Sequence, residues 1–74
     1  MYILVTPDGT KGLSINGRLT TIVNDMLVFK SKLNAAMHYF KLLNLVERGI
    51  LPNDLEIIEV NIPEEFMDFK YFGD

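Results

Sequence analysis

Few residues in this chain are of types that do chemistry, and their spacing decides what they can do. The one histidine, His38, has no serine or paired carboxylate placed by sequence to make it a general base. It falls beside Asn34 and Lys41 on the polar side of a helix and is expected to face solvent. Gly9-Thr10-Lys11-Gly12 has the composition of a phosphate loop. It lacks the G-x-x-x-x-G-K-[ST] spacing and a helix directly after it, so the reading is a hairpin turn. Ser31-Lys32 looks like a nucleophile and its base, but adjacent helical residues do not face each other, and Ser31 serves better as a helix cap. Glu64 and Glu65 follow Pro63. They suit a helix start, where carboxylates offset the dipole, better than the two walls of a hydrolase cleft. There is no cysteine, which removes disulfides and thiolate metal sites, and one histidine is too few for an imidazole site. No catalytic residue, metal or cofactor is expected.

What remains is charge. Residues 1–46 carry five basic groups and two acids, a balance of +3; residues 47–74 carry eight acids and two basic groups, a balance of −6. A contrast of this kind between halves is an interaction signal. Asp54, Glu56, Glu59, Glu64, Glu65 and Asp68 punctuate a strand and a short helix. With strand residues about 3.3 Å apart, they are expected to form a rigid acidic row. A basic DNA-binding protein would be drawn to that row by the field that draws it to phosphates. Lys11, Arg18, Lys30, Lys32 and Lys41 offer a competing basic strip for nucleic acid. They are not interleaved with aromatics in an RNA-binding pattern, and the net charge of −3 opposes phosphate.

The elements that must position these groups are organised around one helix, Ser31 to Gly49. Ser31 caps it, Gly49 can take the left-handed conformation that closes it, and Pro52 cannot continue it. At about 100° per residue, Leu33, Ala36, Phe40 and Leu43 form one apolar row. Ala35, Tyr39, Leu42 and Val46 form a second row beside it. One row covers a small sheet. The other needs the C-terminal tail or a second copy of the chain, and Ala35, Tyr39, Leu42 and Val46 are read as the homodimer interface. Seventy-four residues make a single domain, 1–74, with a small core, and self-association is the staple left open to it.

Ahead of the helix, Tyr2–Thr6 reads as a strand, Pro7-Asp8-Gly9 as a turn and Leu13–Ile15 as a second strand. Asn16-Gly17 suggests a type I′ hairpin leading to a third strand over Arg18–Val23. Asn24–Met26 reads as a turn or one helical turn, and Leu27–Phe29 as an extended entry that buries Phe29. After the helix, Leu55–Ile62 is the strongest strand, with Ile58, Val60 and Ile62 expected to meet the helix. Pro63 opens a short helix, and Phe66, Phe69, Tyr71 and Phe72 make a tail that must dock on its own domain or a partner subunit. The fold class is therefore α+β: a small antiparallel sheet of three or four strands with one long helix on one face and a short C-terminal helix, in the order β-β-β-α-β-α. No apolar run approaches a bilayer's thickness, and the start has no basic signal region, so a cytoplasmic protein is expected.

The order Asp8-Gly9, Asn16-Gly17, Phe29-Lys30-Ser31-Lys32 opening a helix with Ala35-Ala36, and a terminal Leu55-Glu56-Ile57-Ile58-Glu59-Val60 strand resembles the small accessory proteins of bacteriophages. The resemblance covers residues 2–62. It implies a protein that binds and disables a host protein, and in its sharpest form a small, acidic, dimeric inhibitor occupying the DNA-binding surface of a bacterial histone-like protein. The expectation is a non-enzymatic, homodimeric inhibitor of a basic host DNA-binding protein in the bacterial cytoplasm. The alternatives are a small nucleic-acid-binding regulator using the basic N-terminal half, and a structural or assembly subunit.

Overall fold

The computed structural model describes residues 1–62 together with 71–72. Strand β1, Tyr2–Val5, lies inside a sheet that also contains β2, Gly12–Leu13, and β3, Leu19–Thr20. Strand β4, Leu27–Val28, leads into helices α1, Lys32–Lys41, and α2, Leu43–Glu47; β5, Glu56–Glu59, and β6, Tyr71–Phe72, complete the chain. The main sheet is antiparallel with strand order β3-β2-β1-β5, and β4 pairs in parallel with β6 as a second, two-stranded sheet. The fold is α+β, with two helices where one was expected. The expected short C-terminal helix lies outside the described residues. Of the aromatic tail, Tyr71 and Phe72 pair with Leu27 and Val28 of the same chain.

Both hairpins are built by glycine and short polar side chains. At the first turn the Gly9 amide donates to the Thr6 carbonyl at 2.8 Å, with Gly9 at φ 74°, a conformation that glycine accepts without strain. At the second, the Gly17 amide donates to the Ser14 carbonyl and the Ser14 amide to the Arg18 carbonyl, with Gly17 at φ 79°. Among the described residues no non-glycine residue has positive φ, so Asn16 cannot supply the first half of a type I′ turn. The loop is instead a three-residue turn closed by a left-handed glycine. Asn16 contributes its side chain, whose Oδ1 accepts from the Arg18 amide at 3.1 Å. The expected third strand is cut to Leu19–Thr20 because Thr20 Oγ1 accepts from the Ile22 amide at 3.0 Å. That turn leads the chain into a 3-10 turn over Val23–Asp25.

Ser31 caps α1 as expected, its Oγ accepting from the Asn34 amide at 3.1 Å. The helix does not run unbroken to Gly49. At Leu42 the amide reaches back only three residues, to Tyr39, and φ and ψ of −101° and 14° end the first helix. A second short helix then swings Leu45 and Val46 onto the core. Gly49 stands at φ 75° and ends the helical stretch.

The core is Leu4, Leu13, Leu27, Phe29, Ala35, Leu51 and Leu55, with Tyr2, Leu19, Tyr39, Leu42, Leu45, Val46 and Ile57 packed around it. Phe29 is fully buried, as the extended entry to the helix required. Burying such a side chain contributes about 1.5–3 kcal/mol. On the opposite face of the sheet, Val5 lies against Gly12, and the buried Met26 fills the space a side chain at Gly12 would take.

Two face assignments differ from the sequence reading. Ala35, Tyr39, Leu42 and Val46, expected to meet a second copy, are the row that covers the sheet, while Leu33, Ala36, Phe40 and Leu43 are exposed. On β5, Leu4 pairs with Ile57, and Leu55 and Ile57 reach the core in place of Ile58, which is 38% exposed. Both elements are apolar on two sides, so periodicity does not choose between them. Tyr39 does: its hydroxyl needs a polar partner when half-buried, and it donates to the Pro52 carbonyl and accepts from the Leu55 amide. That latch turns its row inward and draws Leu55 under the helix.

Candidate functional site: an acidic edge strand

Strand β5 is the outermost strand of the main sheet, and among the described residues nothing pairs with its far side. Its backbone alternates between partners. The Val60 amide donates to the Met1 carbonyl at 2.8 Å, so by the antiparallel pattern Glu56, Ile58 and Val60 bond toward β1 while Leu55, Ile57 and Glu59 direct their amides and carbonyls away from it. The Leu55 amide confirms the direction by meeting the Tyr39 hydroxyl at 3.5 Å. Among the described residues, the outward backbone groups of Ile57 and Glu59 thus have no strand partner.

Asp54, Glu56 and Glu59 are exposed, and none is ion-paired among the described residues. They do not form one row. Glu56 pairs with Val5 and Glu59 with Tyr2 across the strand, so the two carboxylates leave opposite faces of the sheet, about 10 Å apart along β5. They flank the edge from both sides and make a rim, with Asp54 in the loop just before it. Glu64, Glu65 and Asp68 lie outside the described residues. Of the basic groups, Lys11 follows the β1–β2 turn and Arg18 sits in the β2–β3 turn, at the other end of β2.

His38 is not simply solvent-facing. It is half-buried, with its ring 5.2 Å from that of Phe29 at a 56° tilt, so it closes one side of the core beneath α1. A hollow of about 350 Å³ opens between the β2–β3 turn and the 3-10 turn, lined among others by Ser14, Arg18, Thr20 and Asp25. The buried Ser14 hydroxyl lies between Asn16 Oδ1 and the Arg18 carbonyl, the latter at 2.7 Å, and is used in holding that turn. Among the described residues no group of three or more His, Asp or Glu is placed to hold a metal ion, and no helix is long and apolar enough to cross a membrane.

One further acid, Asp8, is held by its neighbours in the ionised form. Asp8 Oδ1 accepts from the Thr6 hydroxyl at 2.6 Å, the Thr10 hydroxyl at 2.8 Å and the Thr10 amide at 3.1 Å. These donors, the Thr6 hydroxyl foremost, lower its pKa from 3.8 to about 2. The pattern T-x-D-x-T around Pro7-Asp8-Gly9 was the available signal. Its effect is to stiffen the turn at one end of β1.

The chain matches no family model, no curated protein and no solved structure.

Proposed function

We propose that the chain is a non-enzymatic interaction protein that binds a basic partner through the carboxylates of β5 and the loop before it, and that this partner is a DNA-binding protein thereby kept from DNA. The observation that supports the reading is the acidic rim: Asp54, Glu56 and Glu59 are exposed, without an ion-pair partner among the described residues, and carried on or beside a strand held by backbone hydrogen bonds. Charges fixed on a strand lose little freedom when a partner binds. The −6 balance of residues 47–74 supplies the field that steers a cationic surface toward them. In this reading the chain acts as the small bacteriophage-type inhibitors do, inside the host cytoplasm.

Competition on a gel tests it. A histone-like bacterial protein is bound to a short duplex, and the chain is added at low salt. Release of free DNA is expected, weakening as salt is raised. Replacing Glu56 and Glu59 together with Gln is expected to weaken release about tenfold or more. Undiminished release by that variant, or retention of DNA by the chain itself, overturns the proposal.

A further inference from the structure

The outer side of α1 carries a surface of a different kind. Going round the helix at about 100° per residue from the fully buried Ala35, Leu33, Met37 and Phe40 fall roughly 140–200° away and point out from the sheet. They are 67%, 51% and 72% exposed. Steps of four and three residues set them in one line about 10 Å long. The result is a ridge of three large apolar side chains, with the small, exposed Ala36 beside it. The charges around the ridge are of one sign. Lys41 lies about 40° beyond Met37 and Lys32 about 80° before Phe40, both exposed. Lys30 stands just ahead of the Ser31 cap. From residue 26 to residue 46 the sequence holds these three lysines and no acid, in a chain whose net charge is −3.

That sign selects what the ridge can meet. A second copy packed ridge to ridge and antiparallel would gather Lys32 of one α1 and Lys41 of the other at each end of the seam. Neither helix has a carboxylate to offset them, so the contact repels. A protein partner needs a groove shaped to the ridge, whereas a lipid surface parts around a ridge of any shape and brings phosphates to the lysines. We infer that the outer face of α1 rests on an anionic lipid bilayer, with Leu33, Met37 and Phe40 sunk at the boundary of headgroups and acyl chains and Lys32 and Lys41 reaching lipid phosphates. The lysine stems lie along the apolar boundary while their ammonium groups stay in the headgroup layer. At ten residues, α1 lies on the membrane and does not span it. This goes beyond the acidic-partner reading and does not depend on it. Asp54, Glu56 and Glu59 belong to β5 and the loop before it, which the docked helix holds away from the bilayer.

Flotation of the full chain with unilamellar vesicles tests the assignment. On phosphatidylcholine carrying about 30% phosphatidylglycerol, most of the chain is expected to float, and less of it as salt is raised. On phosphatidylcholine alone, binding is expected to fall at least tenfold, because each lysine near an anionic surface adds about fivefold. Leu33→Ser with Phe40→Ser, at positions already exposed, is expected to abolish flotation with unchanged circular dichroism. Lys32→Gln with Lys41→Gln is expected to remove most of the preference for anionic vesicles. The chain has no cysteine, so single labels are site-specific. A polarity-sensitive fluorophore attached at Met37→Cys is expected to shift to the blue on anionic vesicles, and the same label at Ile58→Cys, on the far face of the sheet, is not. Glu56→Gln with Glu59→Gln is expected to float as well as wild type, so the two proposals fail separately. No flotation, flotation that survives Leu33→Ser with Phe40→Ser, or equal binding to neutral and anionic vesicles overturns the inference. Capture of an acidic amphipathic peptide without flotation overturns it too, by assigning the ridge to a protein.

Discussion

Replacing Gly12 with alanine tests how the two faces of the sheet are filled. An added Cβ would lie 2.5 Å from Met26 Sδ, 2.9 Å from its Cε and 3.1 Å from its Cγ. Because contact extends back to Cγ and Met26 is only 6% exposed, the thioether has no open side to swing into. Overpacking of this kind costs about 1–3 kcal/mol. Gly12 is not among the positive-φ glycines, so alanine fits its backbone and recovers about 0.4–1 kcal/mol from the unfolded chain. The net expectation is a loss of about 1–2 kcal/mol, or roughly 4–16 °C in Tm for a domain of this size. Urea unfolding at fixed protein concentration measures it. The decisive comparison is Gly12→Ala in a Met26→Ala background, where the overlap is gone and only the backbone gain remains. There the substitution should be stabilising by the backbone gain alone, giving a coupling energy equal to the overlap cost of about 1–3 kcal/mol. Equal losses in both backgrounds would refute the assignment of Met26 to the space over Gly12.

Two further outcomes follow from single side chains. Tyr39→Phe removes the hydroxyl that ties Pro52 and Leu55 to α1; a loss of about 1 kcal/mol is expected, with faster hydrogen exchange at the Leu55 amide and unchanged exchange at Leu4. Asp8 has a folded pKa of about 2 below an ordinary value of 3.8, so the stabilisation its carboxylate gives is full above pH 4 and is lost as pH falls toward 2. A carboxyl NMR titration should show that midpoint, and Asp8→Asn should remove this share of the acid sensitivity.

Local chemistry was legible in the sequence wherever a residue type admits one solution. Ser31 caps the helix, Gly9 and Gly49 take left-handed turns, and Phe29 is buried, because each follows from hydrogen-bonding or conformational limits that act within a few residues. The break at Leu42 was not legible: no proline or glycine marks it, and the chain shortens its hydrogen-bond step there to bring Leu45 and Val46 inward. The acidic row failed for a geometric reason. Glu56 and Glu59 are three residues apart, and an odd spacing on a strand sends side chains to opposite faces. The acids were identified by charge, but the surface they make depends on parity.

Choosing between equally apolar faces required contacts distant in sequence. On α1 the inward row is selected by Tyr39, thirteen residues from Pro52 and sixteen from Leu55. On β5 the inward face follows from the register with β1, which pairs Ile57 with Leu4. These two choices are coupled. Had Ile58 turned inward, Leu55 and its amide would have turned away from the Tyr39 hydroxyl, leaving a half-buried phenol with one partner fewer. The latch that orders the core thereby also decides what the chain leaves outside: Ile58 on the far face of β5, and Phe40 and Leu33 on the outer side of α1. Two glutamates among the four residues of β5 supply the charge that ordinarily guards an exposed strand edge.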